Sequence, residues 1–156
     1  MPNTPRERRS AAVLTTVAVL AGVVLGACGS EAPVVTEADH LADLQAICRE
    51  TTTRLDALPE PPEQISVTDF ATSAADLLES EAEQARRLDP PDSLADDHRA
   101  FIRNTDEQAV AWRTIADGGE ASTDLVDLTT QVGQLVFGRD DLVVEMDAPD
   151  CVRGAS

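Results

Sequence analysis

Lysine and tyrosine do not occur in this chain of 156 residues, and its aromatic residues amount to three phenylalanines and one tryptophan. Each absence removes a class of function. With 29 acidic residues against 12 basic ones, all of them arginine, the formal charge is −17, and no basic face is left to neutralise nucleic-acid phosphates. Nucleic acid is therefore excluded as a partner. Four aromatic side chains leave little to stack on sugars or bases. The sequence also lacks G-x-S-x-G, a P-loop, a dinucleotide glycine fingerprint and H-E-x-x-H, and neither of its two histidines, His40 and His98, stands beside a nucleophile motif. The expectation is a protein that is not an enzyme, with no cofactor, no catalytic residue and no metal ligand to nominate.

Long apolar runs are scarce as well, and the single one is informative. "MPNTPRERRS" sets Arg6, Arg8 and Arg9 against Glu7, after which Ala11 to Ala27 carries no charge. That is the shape of a signal peptide, and it is shorter than the roughly 20 apolar residues of a spanning helix. The run ends in Leu25, Gly26, Ala27 and Cys28. This order resembles the lipobox of bacterial lipoproteins, which implies a diacylglyceryl group on the Cys28 thiol and cleavage just before it. Arg8 and Arg9 lack the bulky apolar pair that comes after a twin-arginine signal, so the general secretory route is expected. The chain divides on this reading into a signal peptide at residues 1–27, a lipidated tether at 28–36 and a helical domain at 37–156.

Removing residues 1–27, with three arginines and one glutamate, takes the charge of the mature chain to −19. Anionic headgroups repel such a body, so attachment to the membrane rests on the lipid at Cys28. One acyl chain binds marginally and two or three bind stably, at about 0.8 kcal/mol per buried methylene. The expected location is the outer face of the cell membrane. With Cys28 set aside for lipid, Cys48 and Cys151 remain as a disulfide pair in an oxidising compartment. Their bridge closes a loop of roughly 100 residues, for which a chain-entropy treatment gives about 4–5 kcal/mol.

The mature chain reads as four amphipathic helices with no competing strand pattern. Leu41, Leu44, Cys48, Thr51, Leu55 and Leu58 share a face of the first, which Thr36 and Asp39 start and "LPEPPEQ" stops. Ser66 and Asp69 open the second, with Ile65 and Phe70 placed as a staple; Phe70, Ala74, Leu77, Leu78, Ala85 and Leu88 form its stripe, and "LDPPDS" ends it. The third is capped by Ser93 or Asp92, carries Leu94, Phe101, Ile102, Ala109, Trp112 and Ile115 inward, and closes at "DGGE". The fourth runs from about Ser122 with Leu125, Leu128, Val132, Leu135, Leu142 and Met146 on one face, interrupted by Gly133 and Gly138. Matched lengths and short connections predict an all-α, up-down-up-down four-helix bundle.

That topology carries a tension. The end of the fourth helix lies near the start of the first, yet Cys48 sits about 18 Å along from Thr36 at 1.5 Å per residue. The expectation is that the fourth helix ends or bends near Gly138 and the tail returns along the first helix to bring Cys151 to Cys48. The lipobox at Cys28, Cys48 within a first helix, the stops "LPEPP" and "LDPP", and the closing "APDCVRG" are together similar to a broad group of small actinobacterial lipoproteins, largely of uncharacterised function. The resemblance implies an exported helical lipoprotein and no particular activity.

The acidic run "ESEAE", with Glu79, Glu81 and Glu83, reads as a solvated face balanced by Arg86 and Arg87, and Asp96–Asp97 and Asp140–Asp141 read the same way. His40 and His98 fall in one layer of the bundle, since the first and third helices run the same way. With Glu37 one turn from His40 they form a conceivable zinc or copper set, with Asp39, Asp43 or Asp97 behind it. His40 stands at the margin of its stripe, where a solvated ring is the ordinary outcome, and the preferred reading is metal-free. Two functional classes remain: an envelope module that engages a protein partner or ligand without catalysis, or, alternatively, a metal or small-molecule binding protein with its site inside the bundle. Replacing Cys28 by Ser is expected to release the protein from the membrane or leave it unprocessed, measured by fractionation in high salt; a Cys28→Ser protein processed normally and still membrane-bound contradicts the lipoprotein reading.

Overall fold

A computed structural model describes residues 35–118 and 124–153. Cys28, and with it the expected signal peptide and most of the expected tether, lies outside the described residues. The described chain is all-helical, with α1 at Glu37–Asp56, α2 at Val67–Ala85, α3 at Ala95–Gly118 and α4 at Leu125–Glu145. Short 3-10 turns at Asp92–Leu94 and Pro149–Cys151 precede α3 and follow α4. Consecutive helices pack on one another and form a four-helix bundle, in which α2 and α3 share the largest interface and α1 is joined to the end of α4 through the Pro149–Cys151 turn.

The starts of α1 and α2 are set by the same local chemistry. The Thr36 hydroxyl accepts the Asp39 N–H at 3.1 Å and donates to the Asp39 carboxylate at 2.6 Å. Ser66 repeats the pattern with Asp69 at 3.0 and 2.8 Å. Each reciprocal pair satisfies a helix-end donor, and its carboxylate faces the positive end of the helix dipole. α3 begins differently from the sequence expectation: neither Ser93 nor Asp92 caps it directly. Pro91, with its ring-fixed φ of −63°, starts the 3-10 turn that runs straight into Ala95, and the Ser93 hydroxyl donates to the Glu37 carboxylate across to α1 instead.

The inward face of α2 is broader than its predicted stripe. Ala71, Ala74, Ala75, Ala82 and Ala85 are buried together with Leu77 and Leu78, while Phe70 is half-buried against Trp112 of α3 with ring centroids 5.5 Å apart. α2 lies between α1 and α3, so a wide arc is covered, and alanines let the neighbouring backbones approach closely. One apolar cluster joins Leu44 and Cys48 of α1 to Ala85, Phe101, Val143, Met146, Ala148 and Cys151. A second, toward the other end, is built from Ala71, Ala111, Ile115 and Val132, with Trp112 and Leu128 packed against it.

α4 does not end near Gly138. It continues to Glu145, because one helical glycine costs only about 1 kcal/mol and Arg139, Val143 and Met146 beyond it are all buried. The reversal comes later, at Asp147, which takes φ of +60°, while the Asp147 N–H donates to Val144 O at 3.1 Å and the Ala148 N–H to Val143 O at 2.8 Å. Those two bonds are a Schellman ending with aspartate in the left-handed position that glycine usually takes. The tail then returns to α1 as expected. Cys48 and Cys151 are disulfide-bonded with Cα atoms 4.9 Å apart, the Arg49 guanidinium meets Asp150 at 2.5 Å, and Gln45 accepts the Asp150 N–H at 3.4 Å. Reducing this bridge frees the tail from α1, so the melting temperature is expected to fall, with about 4–5 kcal/mol as the upper bound of the loss; an unchanged transition under reducing conditions, with both thiols shown free by mass, contradicts this role.

Candidate functional site

The polar interior begins with a carboxylate that sequence reasoning placed in water. Glu81 is fully buried, and its two oxygens are taken by different arginines: Arg139 Nη2 donates to Oε1 at 2.8 Å and Arg153 Nη2 donates to Oε2. Arg139 is itself fully buried, with its guanidinium carbon 4.8 Å from the centre of the Phe101 ring and Nη2 also 3.5 Å from the Cys48 sulfur. Arg153 reaches further, through Nη1 to Gln108 Oε1 at 3.3 Å and through its backbone N–H to Asp140 Oδ1 at 2.8 Å. Gln108 in turn donates to Asn104 Oδ1 at 2.7 Å, and Asn104 donates to the Leu135 carbonyl at 3.1 Å. One connected network thus touches all four helices and the tail.

Burial pushes the Arg139 guanidinium down to about 10, against the opposing pull of Glu81. It stays protonated at neutral pH. Arg139 Nε and Nη1 and Arg153 Nε find no hydrogen-bond partner, and the Phe101 ring face offers Arg139 a partial substitute. The bonded contacts join α2, α3, α4 and the tail, which makes the cluster a structural clasp. Glu81 was masked by its neighbours: in the run read as balanced by Arg86 and Arg87, Glu83 pairs with Arg87, while Glu79 goes to Arg113 and Arg86 to Asp106. The signal for the clasp lay in phase. Glu81 sits between Leu78 and Ala82, and Arg139 seven residues after Val132 and four before Val143, each a lone charge in the centre of an apolar stripe.

The second polar feature is the histidine pair, which the fold does bring together. His40 of α1 and His98 of α3 pack edge to face with ring centroids 4.8 Å apart. The expectation of a solvated His40 is overturned: its exposure is 1%, that of His98 is 3%, and His40 Nε2 and His98 Nδ1 have no hydrogen-bond partner. The apolar stripe of α1 is centred nearer His40, Leu44 and Thr51 than Leu41 and Leu55, and the His40 ring meets that of His98 on α3. Burial lowers both histidines below their ordinary value, partly offset at His40 by Asp43 and Asp89 and reinforced at His98 by the neighbouring His40. Two acidic residues that the sequence sets near the pair are engaged elsewhere, Glu37 with Ser93 and Asp39 with Thr36. Among the described residues no three His, Cys, Asp or Glu side chains gather to hold a metal, and no helix is long and apolar enough to cross a membrane.

Comparison of the chain with protein-family models, with curated proteins and with solved structures returns no match.

The histidine pair makes stability depend on pH with a defined sign. A group whose value is lowered by folding stabilises the fold above its unfolded value, near 6.5, and that contribution is lost as pH falls through the folded value. The melting temperature is therefore expected to drop between about pH 7 and about pH 5, and a His40→Gln, His98→Gln double variant is expected to flatten that limb. An equal slope in wild type and variant contradicts the assignment.

Proposed function

We propose that the protein is a lipid-anchored envelope lipoprotein that acts as a non-catalytic interaction module for a protein partner on the outer face of the cell membrane. The observation that carries this reading is the outer face of α4. Val126, Phe137 and Val144 are 75%, 68% and 65% exposed, and their spacing puts them within about 20° of one another around a helix of 3.6 residues per turn. α4 packs on α3 and on the tail turn, which leaves this stripe open. Exposed Asp127, Asp141 and Glu145 flank it on the same helix, whereas the one basic residue of α4, Arg139, is buried.

An open apolar stripe with an acidic margin fits a partner that presents apolar side chains rimmed by arginine or lysine. The buried polar groups support the same reading from the other side, since the Glu81 clasp is committed to holding helices together. The order of residues before Cys28 supports anchoring through two or three acyl chains, which would hold the domain at a bilayer that the −19 mature chain itself does not attract.

A photo-crosslinking residue placed at Phe137 or Val144 in living cells is expected to give a discrete protein adduct, and one at exposed Glu50 of α1 is expected to give none. Adducts of equal yield at all three positions, or none at the α4 positions, count against an interaction module working through this face.

A further inference from the structure

We infer that the outer face of α4 is one half of a coiled-coil seam, and that what covers it is an amphipathic α-helix of another protein with arginine or lysine along one margin. The inference rests on the interaction module proposed above and names the element that engages it. Val126, Thr130, Gly133, Phe137 and Val144 stand at spacings of four, three, four and seven, with Asp140 dividing the last interval into three and four. That alternation is the pattern of a heptad repeat, carried on the solvent side of the helix while Val132, Arg139 and Val143 fill its core side. At 1.5 Å per residue the seam runs about 27 Å, or about five turns of a partner helix. An extended peptide, whose side chains repeat every second residue, has no period to match it.

The relief of the face fits a helix as well. Phe137, 68% exposed, is a knob, and Gly133 one turn before it is a hole: a methyl group at Gly133 would meet nothing within 4 Å beyond its own helix. Coiled-coil packing seats each knob among four facing residues, so a bulky apolar side chain of the partner lies over Gly133. The glycine that weakens α4 as a helix thus has a use on its surface. The Thr130 hydroxyl donates to Val126 O at 2.8 Å and is satisfied inside the helix. Asp140 interrupts the seam, and its Oδ1 is engaged by the tail, accepting the Arg153 N–H at 2.8 Å.

Charge selects the partner. Asp127, Gln134 and Asp141 each directly follow a seam position at intervals of seven, which is the flanking e position of the repeat, where ion pairs set partner choice. All three are exposed. The opposite margin, Thr129, Val136 and Val143, carries no charge, so the acidic edge is one-sided and the partner's basic residues lie along one edge of its own apolar stripe. A second copy of this chain does not fit. It carries the same charge, −17 over its length, and its α4 has no exposed arginine to set against Asp127 and Asp141.

The test places a benzophenone-bearing residue singly at Val126, Thr130, Phe137 or Val144 on the seam, and at exposed Gln131 off it, in the full chain in living cells. Each adduct is mapped by mass spectrometry to the residue joined. Seam positions are expected to land on one segment of one protein, at residues three, four or seven apart with arginine or lysine beside them, and Gln131 is expected to give no comparable adduct. Asp127→Arg combined with Asp141→Arg is expected to lower the Phe137 adduct at least about 10-fold, because like charges are then set against one another. Gly133→Leu is expected to fold at least as well as wild type by thermal melting, since leucine is the better helix former and meets no neighbour, yet to lower the same adduct about 10-fold by overfilling the hole. Phe137 adducts that land on scattered segments or on a second copy, or that survive both variants in full, overturn the basic-helix partner while the interaction module stands; adducts on lipid, or none at any position, overturn both.

Discussion

A single buried carboxylate organises this bundle. Glu81 has no access to water and stands between two guanidinium groups, one from α4 and one from the C-terminal tail. Taking three charges out of water is costly, and mutual attraction offsets the cost only where geometry is good and the remaining hydrogen-bonding capacity is filled. Both Glu81 oxygens are bonded, Arg139 lies over Phe101, and Arg153 spends further donors on Gln108 and Asp140. Arg139 and Arg153 stand 58 and 72 positions from Glu81 along the chain, so the helices must reach their places before any of these bonds exists.

Two other features depend on where that clasp sits. Arg153 meets Glu81 only because the chain reverses at Asp147 and runs back toward α1, and the same reversal delivers Cys151 to Cys48. The disulfide and the ion cluster therefore fasten one segment from both sides, with Arg139 touching both through the Cys48 sulfur. The paired histidines occupy another part of the interior, between α1 and α3, and are dry for an apolar reason: the helices that bury Leu44 and Phe101 also enclose them. Surface pairs such as Arg113 with Asp76 and Glu79 add to the α2–α3 seam, but exposed ion pairs contribute little beside a buried one.

The features legible in the sequence were local or countable. Thr36 and Ser66 start helices through residues three places on, prolines stop them, and the disulfide partners are the two cysteines that remain when Cys28 is assigned to lipid. Periodicity also located Leu44, Phe101, Ile115 and Val132 correctly. Glu81 was misread because glutamate normally faces water and its partners lie far along the chain. Gly138 misled for a related reason: a weak helix former is easily outweighed by the burial of Arg139, Val143 and Met146 beyond it. His40 was placed in the correct layer and given the wrong environment, since a small rotation of α1 separates a margin from a core position.

The central claim is that the bundle depends on mutual compensation within the Glu81–Arg139 pair, and a double-mutant cycle by denaturant unfolding tests it most directly. Glu81→Leu should cost about 3–5 kcal/mol, because it strands two buried guanidinium groups, and Arg139→Met should cost about 1–3 kcal/mol, because it leaves one Glu81 oxygen without a partner while Arg153 still holds the other, whereas the double variant should cost less than their sum. Single losses below about 1 kcal/mol, or a double variant that equals the sum of the two, would contradict it.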